Sequence, residues 1–319
     1  MELKVGVVGV GVMGTYHAQI YAGLPGVRLV GVADPDPKRR QAIEGDLEVP
    51  TYPEAEALLG QVQAVSIASP TLLHYPQARM FLQAGVHVLV EKPMTPTLPQ
   101  AKELVSLAAE EGLVLQVGHV MRFYKAVSEL PRMLKRPWML ETRRLGNNRR
   151  IRDIGVILDL MIHDLDLVLL LLRERPHRYS VVGQEVDGLD EYANAVLDFP
   201  SGVRAVLTAS RVSPQSERSL SLTQDGEVIR LDFGSEYTEV ATHRFPAEYH
   251  DYPNGNGRVQ EQVERVAIEN DNPLRRQLKH FVDRIQRGTP PLVTLEDDLL
   301  ALELAIELTH ALKPLSAYG

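Results

Sequence analysis

The sequence predicts an α/β protein in two parts: a doubly wound parallel sheet, then an α+β domain with an open, largely antiparallel sheet. Three observations predict it. A strand, a glycine turn and a helix open the chain at Lys4–Ala22; short apolar runs then alternate with helix-length segments as far as Val117; and from about Met121 strand-like runs follow one another across short turns. The 319 residues exceed what one core usually serves, so the division is drawn at 1–120 and 121–319.

In the first part, the valine-rich run Lys4–Val8 meets Gly9-Val10-Gly11-Val12-Met13-Gly14 and a helix-like segment, Thr15–Ala22. In a strand–turn–helix setting these glycines allow a tight turn, close approach of a pyrophosphate and close packing of helix on strand. A second apolar run, Val27–Ala33, ends in Asp34, 20 residues after Gly14, where a carboxylate can bind a ribose 2′-hydroxyl. That is a Rossmann dinucleotide unit. NAD is the expected cofactor because Asp34 would repel a 2′-phosphate; Lys38, Arg39 and Arg40 keep NADP open.

The alternation continues with a helix near Pro53–Leu59, strand Ala64–Ala68, helix near Leu73–Ala84, strand Val86–Val90, helix near Leu98–Glu111 and strand Val114–Val117. Ligands of such sheets lie beyond the carboxyl ends of the strands. Besides Gly9–Gly14, two strand ends are therefore candidate site loops: Ser69-Pro70-Thr71 with His74, and Glu91-Lys92-Pro93. Lys92 follows a fully apolar strand and would emerge at the cofactor edge, and Pro93 permits a cis bond. A surface lysine at a strand end is the plain alternative.

In the second part, an apolar helix-length run from Val156 to Leu172 carries Asp159, His163, Asp164 and Asp166. At helical spacing Asp159, His163 and Asp166 fall within roughly 60° of one another, with Asp164 turned away. Ionisable groups on an apolar face are costly unless paired or used, although a lone helix histidine is often a core residue. Strand-like runs follow at Arg178–Glu185, Tyr192–Phe199, Val203–Ser210, Ser219–Thr223, Val228–Phe233 and Tyr237–Thr242, with turn signals such as Asp187-Gly188 and Asp225-Gly226. Helices near Pro273–Arg287 and Leu295–Leu312 close the chain.

Charge and composition narrow the classes of function. A formal net charge of −8 argues against a protein that coats nucleic acid. No Cys is present, which removes disulfides, thiolate nucleophiles and Cys-based metal sites and is compatible with a cytoplasmic location; no residue is assigned to a metal. The ionisable residues in Val156–Leu172 argue against a membrane span. Against the acidic background, Arg143, Arg144, Arg149, Arg150 and Arg152 crowd into ten residues. Guanidinium groups match phosphate bidentately, so a phosphorylated or nucleotide-linked sugar would explain the cluster; a solvated or interface loop is the alternative.

Together, Gly9–Gly14, Asp34, Ser69-Pro70-Thr71 with His74, Glu91-Lys92-Pro93, Gly118-His119 with Arg122-Phe123, and Asp159 with His163 resemble the Gfo/Idh/MocA oxidoreductases over essentially the whole chain. The resemblance implies Lys92 and His163 as the catalytic pair, with Asp159 binding substrate and orienting the site. It also implies a cofactor site of Gly9, Gly11, Val12, Met13, Gly14, Asp34, Ser69, Thr71, His74, Glu91 and Lys92. Arg122, Arg149, Arg150 and Arg152 are the expected substrate-binding residues, and a homo-oligomer pairing through the C-terminal sheet is expected.

Arg152–Asp166 is similar to the UDP-N-acetylglucosamine 3-dehydrogenase subgroup. The family departs from this chain at two points: many members have glycine where Met161 stands and proline where Lys125 stands, which bears on pocket shape. The expected reaction is hydride transfer from a secondary sugar hydroxyl to NAD. Histidine, with an unperturbed pKa of about 6.5, is the better general base, and Lys92 would stabilise alkoxide character. An inositol or free-sugar dehydrogenase is the nearer alternative, and a non-catalytic dinucleotide-binding sensor the other.

Overall fold

The computed structural model describes residues 2–147, 153–234, 236–244 and 262–315. The first run of elements is β1 (Leu3–Val8), α1 (Val12–Ala22), β2 (Val27–Ala33), α2 (Pro37–Leu47), β3 (Thr51–Tyr52), β4 (Ala64–Ile67), α3 (Thr71–Gln83), β5 (His87–Val90), α4 (Leu98–Glu110) and β6 (Leu115–Val117). The six strands pair in parallel in the order β3-β2-β1-β4-β5-β6. The strand order reverses between β1 and β4, which is where doubly wound sheets bind ligands.

Among the helices of this run, two details differ from the sequence expectation. Helix α2 lay in a stretch assigned no element. Its start is nonetheless written in the chain, since Asp36 accepts the Lys38 N–H at 2.8 Å and Pro37 sits in the first turn. The helix expected near Pro53–Leu59 is only a single 3₁₀ turn, Ala55–Leu58, after the short strand β3.

The second run comprises α5 (Lys125–Met133), β7 (Pro137–Leu145), a π-helical turn at Ile157–Met161, α6 (Ile162–Leu172), β8 (Arg178–Val186), β9 (Leu189–Asp198), β10 (Arg204–Ser210), β11 (Glu217–Gln224), β12 (Glu227–Phe233), β13 (Tyr237–Arg244) and β14 (Gln262–Glu269). Then come α7 (Pro273–Arg287), α8 (Leu295–Ala311) and β15 (Lys313–Pro314). The sheet order is β14-β13-β12-β11-β7-β10-β9-β8-β15; β7 and β10 are parallel, as are β8 and β15, and the other pairs are antiparallel. At the β8–β9 hairpin, Asp187 and Gly188 both have positive φ, 54° and 80°, as a two-residue primed turn requires.

Two compact units result. The first contains 1–120 together with 273–303, and the second contains 121–272 together with 304–319. Helix α7 was read as part of the second domain; it packs in the first because Leu278, Phe281 and Val282 join the core of Val5, Tyr21, Leu29 and Leu89. Polar ties accompany this packing, with Gln277 Nε2 donating to Val117 O at 3.4 Å and Arg284 Nη1 to Leu115 O at 3.0 Å. In the second unit the π turn and α6 lie against β10. Among the described residues no helix is long and apolar enough to cross a membrane.

Phe281→Ala opens a cavity in the first unit's core and is expected to cost about 3–5 kcal/mol of stability, read as a lowered urea midpoint. A loss below 1 kcal/mol, on the order of a surface change, would show that α7 contributes nothing to that core.

Candidate functional site: a dinucleotide cradle and two charged strand and helix ends

The first unit builds its cradle from backbone. Gly9 has φ +80°, and a Cβ there would lie 2.6 Å from Ser69 N, so β1 approaches the β4 loop more closely than any side chain allows. A Cβ on Gly14 would run into Gly9 O. Gly11 is the opposite case, with only Arg39 Nη1 within 4 Å, at 3.9 Å. Two of the glycines are thus required by packing, while the middle one keeps open space over the turn. Helix α1 starts there with no acidic residue in its first turn, and its leading N–H groups have no helical acceptors.

Asp34 is buried at the end of β2. Its Oδ2 accepts the Val10 N–H at 2.8 Å and its Oδ1 the Asp36 N–H at 2.8 Å, so the carboxylate is aimed at the glycine turn. Arg40 Nη1 holds the loop by donating to Asp34 O and Pro35 O, and Arg39 Nη1 stands 3.7 Å from Asp34 Oδ2. Open space over Gly11, a helix N-terminus without a side-chain cap and an oriented carboxylate fit a dinucleotide's pyrophosphate and ribose. Val12 and Met13 leave their side chains largely exposed beside this turn.

The other strand ends are tied together. His74 is buried, with Nδ1 2.9 Å from Pro93 O and Nε2 2.8 Å from Ser69 O, so this expected cofactor residue bridges the loops after β4 and β5. Ser69 Oγ donates to Gln77 Oε1 at 2.6 Å, and Thr71 is buried at the start of α3. Lys92 is half-buried, two residues past the end of β5, and its bond to Pro93 is cis. Glu91 is buried; burial alone would push its carboxyl up, but His17, then Lys92 and His74, hold it below its ordinary value.

In the second unit Asp159 sits on the π turn and His163 on the first turn of α6, Asp159 buried and His163 half-buried. The wider π turn breaks the even helical phase assumed from sequence, and such turns recur where a side chain must be re-aimed. It is built by Asp190, whose Oδ2 accepts the Ile157 N–H at 2.8 Å and whose carboxylate occupies the space a Cβ on Gly155 would need. Burial raises the Asp190 carboxyl above its ordinary value, offset in part by that N–H.

Arg211, which sequence reasoning missed, organises this region. It is fully buried just after β10, with Nη1 3.5 Å from Asp159 Oδ2, Nε 3.2 Å from Glu191 Oε2 and Nη2 3.0 Å from Ile154 O. The available signal was weaker than for Lys92, a cation following a strand, Arg204–Ser210, that carries Thr208 and Ser210.

The remaining acids of α6 are structural partners. Asp166 accepts the guanidinium of Arg122, and Asp164 accepts Arg144 Nη2 at 2.7 Å and Nε at 3.1 Å. Asp164 is therefore buried and paired, and burial pushes its carboxyl up despite Arg144 beside it. Arg122, expected to bind substrate, gives its guanidinium to Asp166. In the arginine cluster, Arg144 is this α6 partner, Arg143 pairs with Glu217 at 2.9 Å, and Arg149, Arg150 and Arg152 lie outside the described residues.

A doubly wound sheet with this cradle, followed by an open mixed sheet and an Asp-x-x-x-His stretch against it, is the architecture of a nicotinamide-dependent oxidoreductase. Residues 3–119 match the oxidoreductase family, NAD-binding Rossmann fold, and residues 134–229 match the Gfo/Idh/MocA C-terminal domain. The chain belongs to the Gfo/Idh/MocA family.

It is 38% identical over 236 residues to the UDP-N-acetylglucosamine 3-dehydrogenase of Acidithiobacillus ferrooxidans, spanning 73% of this chain and 75% of that one. A solved structure of that enzyme superposes with a TM-score of 0.85 at 32% identity and covers 98% of both chains. The scyllo-inositol 2-dehydrogenase (NAD(+)) of Bacillus subtilis is 25% identical over 335 residues, 98% of this chain and 94% of that one.

Arg211→Leu removes the guanidinium that two buried carboxylates, Asp159 and Glu191, share, and is expected to cost about 3–5 kcal/mol in denaturant unfolding. An unchanged midpoint would show that the Arg211 cluster does not hold the π turn.

Proposed function

We propose that this oxidoreductase takes hydride from a secondary hydroxyl of a nucleotide sugar, at C3 of UDP-N-acetylglucosamine or a close analogue. What carries the reading is the likeness of 98% of the chain, at 32% identity, to an enzyme of that activity. The Gly9–Gly14 cradle, Lys92, Asp159 and His163 all stand in the chain with the side-chain chemistry the reaction needs.

A bound nicotinamide dinucleotide supplies the hydride acceptor. His163 takes the hydroxyl proton as C3 becomes a ketone, Lys92 donates to the same oxygen and stabilises its developing charge, and Asp159 binds or orients beside His163. The buried Asp34 carboxylate favours a free 2′-hydroxyl, so NAD is the preferred dinucleotide.

The second sheet offers a surface for self-association. Along β9, Tyr192, Asn194 and Val196 are half-buried while Ala193, Ala195 and Leu197 are buried, so one face is core and the other is open. A cavity of about 480 Å³ on that open face is lined by Arg143, Tyr192, Asn194, Thr208 and Ser210. Light scattering is expected to report a homo-oligomer; a monomer at micromolar concentration would sink this assignment.

The activity test is dinucleotide reduction with UDP-N-acetylglucosamine, comparing NAD with NADP and the parent with Lys92→Met and His163→Asn. Each variant is expected to lose about 10²-fold or more in kcat, with NAD favoured over NADP. Both variants turning over at the parent rate would overturn the catalytic roles. Equal turnover of free sugars or inositols would instead favour the inositol or free-sugar reading, which the likeness to the scyllo-inositol enzyme keeps second.

A further inference from the structure

Behind the strand end that carries Lys92 runs a buried polar chain that the roles above leave unused. His17 and Tyr21, one turn apart on α1, are fully buried, and so is Ser66 on β4. Tyr21 OH lies 3.2 Å from Ser66 Oγ, and Ser66 Oγ lies 3.0 Å from His17 Nδ1. His17 Nε2 faces Glu91 Oε1 at 3.3 Å, and Glu91 Oε2 accepts the Lys92 N–H at 3.3 Å.

One arrangement of protons links the members from Tyr21 to His17. Tyr21 donates to Ser66, Ser66 donates to His17 Nδ1, and the proton on His17 Nε2 points at the Glu91 carboxylate. The chain is directional and ends on the charge. His17 Nε2 stands 3.3 Å from Glu91 Oε1, so the imidazole is the group that faces the carboxylate from α1.

The groups around Glu91 agree with this. His17 from α1, Lys92 beside it and His74 from α3 hold its carboxyl below the ordinary value against burial, while burial pushes the Tyr21 hydroxyl up and keeps it a donor. On the β6 side there is no slack, because a Cβ on Gly118 would lie 2.7 Å from Glu91 Cδ. Glu91 is therefore clamped between His17 and the Gly118 backbone, and Lys92 is its immediate neighbour.

We propose that His17 is a positioning residue for Lys92: through the Tyr21–Ser66–His17 chain it holds the Glu91 carboxylate against the Lys92 N–H and so fixes the direction in which Lys92 leaves the sheet. This rests on the role given to Lys92 under the proposed function. A displacement of about 1 Å at a reacting group can cost 10²-fold in rate, which is the scale on which a loosened Glu91 would register.

The test compares His17→Leu, His17→Gln, Glu91→Gln and the double variant H17L/E91Q, with Lys92→Met alongside, reading kcat, dinucleotide KM and thermal midpoint. H17L and E91Q are each expected to lower kcat by about 10- to 10²-fold, with KM nearly unchanged. The double variant should be no slower than E91Q alone, since His17 acts through Glu91. Gln at position 17 presents a donor where Nε2 stood and should restore most of the rate.

Parent-like kcat in H17L, additive losses in the double variant, or a loss confined to KM would each overturn the proposal. Should H17L fail to fold, Ser66→Ala and Tyr21→Phe remove single oxygen atoms and decide it by the same measure: lowered kcat supports it, unchanged kcat overturns it. Parent-rate turnover by Lys92→Met would instead sink the role of Lys92 itself, whereas an inactive Lys92→Met beside a fully active H17L defeats only the positioning role of His17.

Discussion

A carboxylate taken out of water must be met by a cation or by several N–H donors, and both units are organised by that requirement. Asp34 is met by the backbone N–H groups of Val10 and Asp36, Glu91 by His17, Asp159 and Glu191 by Arg211, Asp164 by Arg144 and Asp166 by Arg122. The pairs differ in kind. Arg144–Asp164 and Arg122–Asp166 are two-pronged and buried, the geometry of groups that hold structure. Asp159 shares the buried Arg211 guanidinium with Glu191, so a single cation faces two carboxylates.

The cradle follows a different constraint, that of backbone approaching backbone. Gly9 lies against Ser69, and Gly14 against Gly9, so β1, α1 and the loop after β4 are held at separations that side chains would prevent. His74 then links the loops after β4 and β5 through two carbonyl oxygens. These contacts give the strand ends a common rigid base, which a site relying on alignment of a dinucleotide with a reacting carbon requires.

Much of this was legible residue by residue. The glycine spacing, Asp34 at the end of β2, the cation after β5 and the Asp-x-x-x-His helix are local patterns, each readable because strand, turn and helix periods are properties of short stretches. The primed turn at Asp187-Gly188 was legible for the same reason. Helix α2 was legible too, in Asp36-Pro37, and was passed over because its eleven residues carry a single buried apolar side chain, Ile43. Strand β7 was harder: it is centred in its sheet between β10 and β11, yet Arg143, Arg144 and Glu141 make it read as polar.

The sequence by itself determined the class of fold, the family and the residue types available for chemistry, because these depend on local periodicity and on motifs of fixed spacing. Tertiary structure alone decided which charges are partners. Arg211 stands 52 positions after Asp159, Arg122 stands 44 before Asp166, and α7 returns from residue 273 to complete a core begun at residue 3. Which charges lie within hydrogen-bonding reach is set by how distant elements pack, and no short-range pattern in the chain encodes that distance.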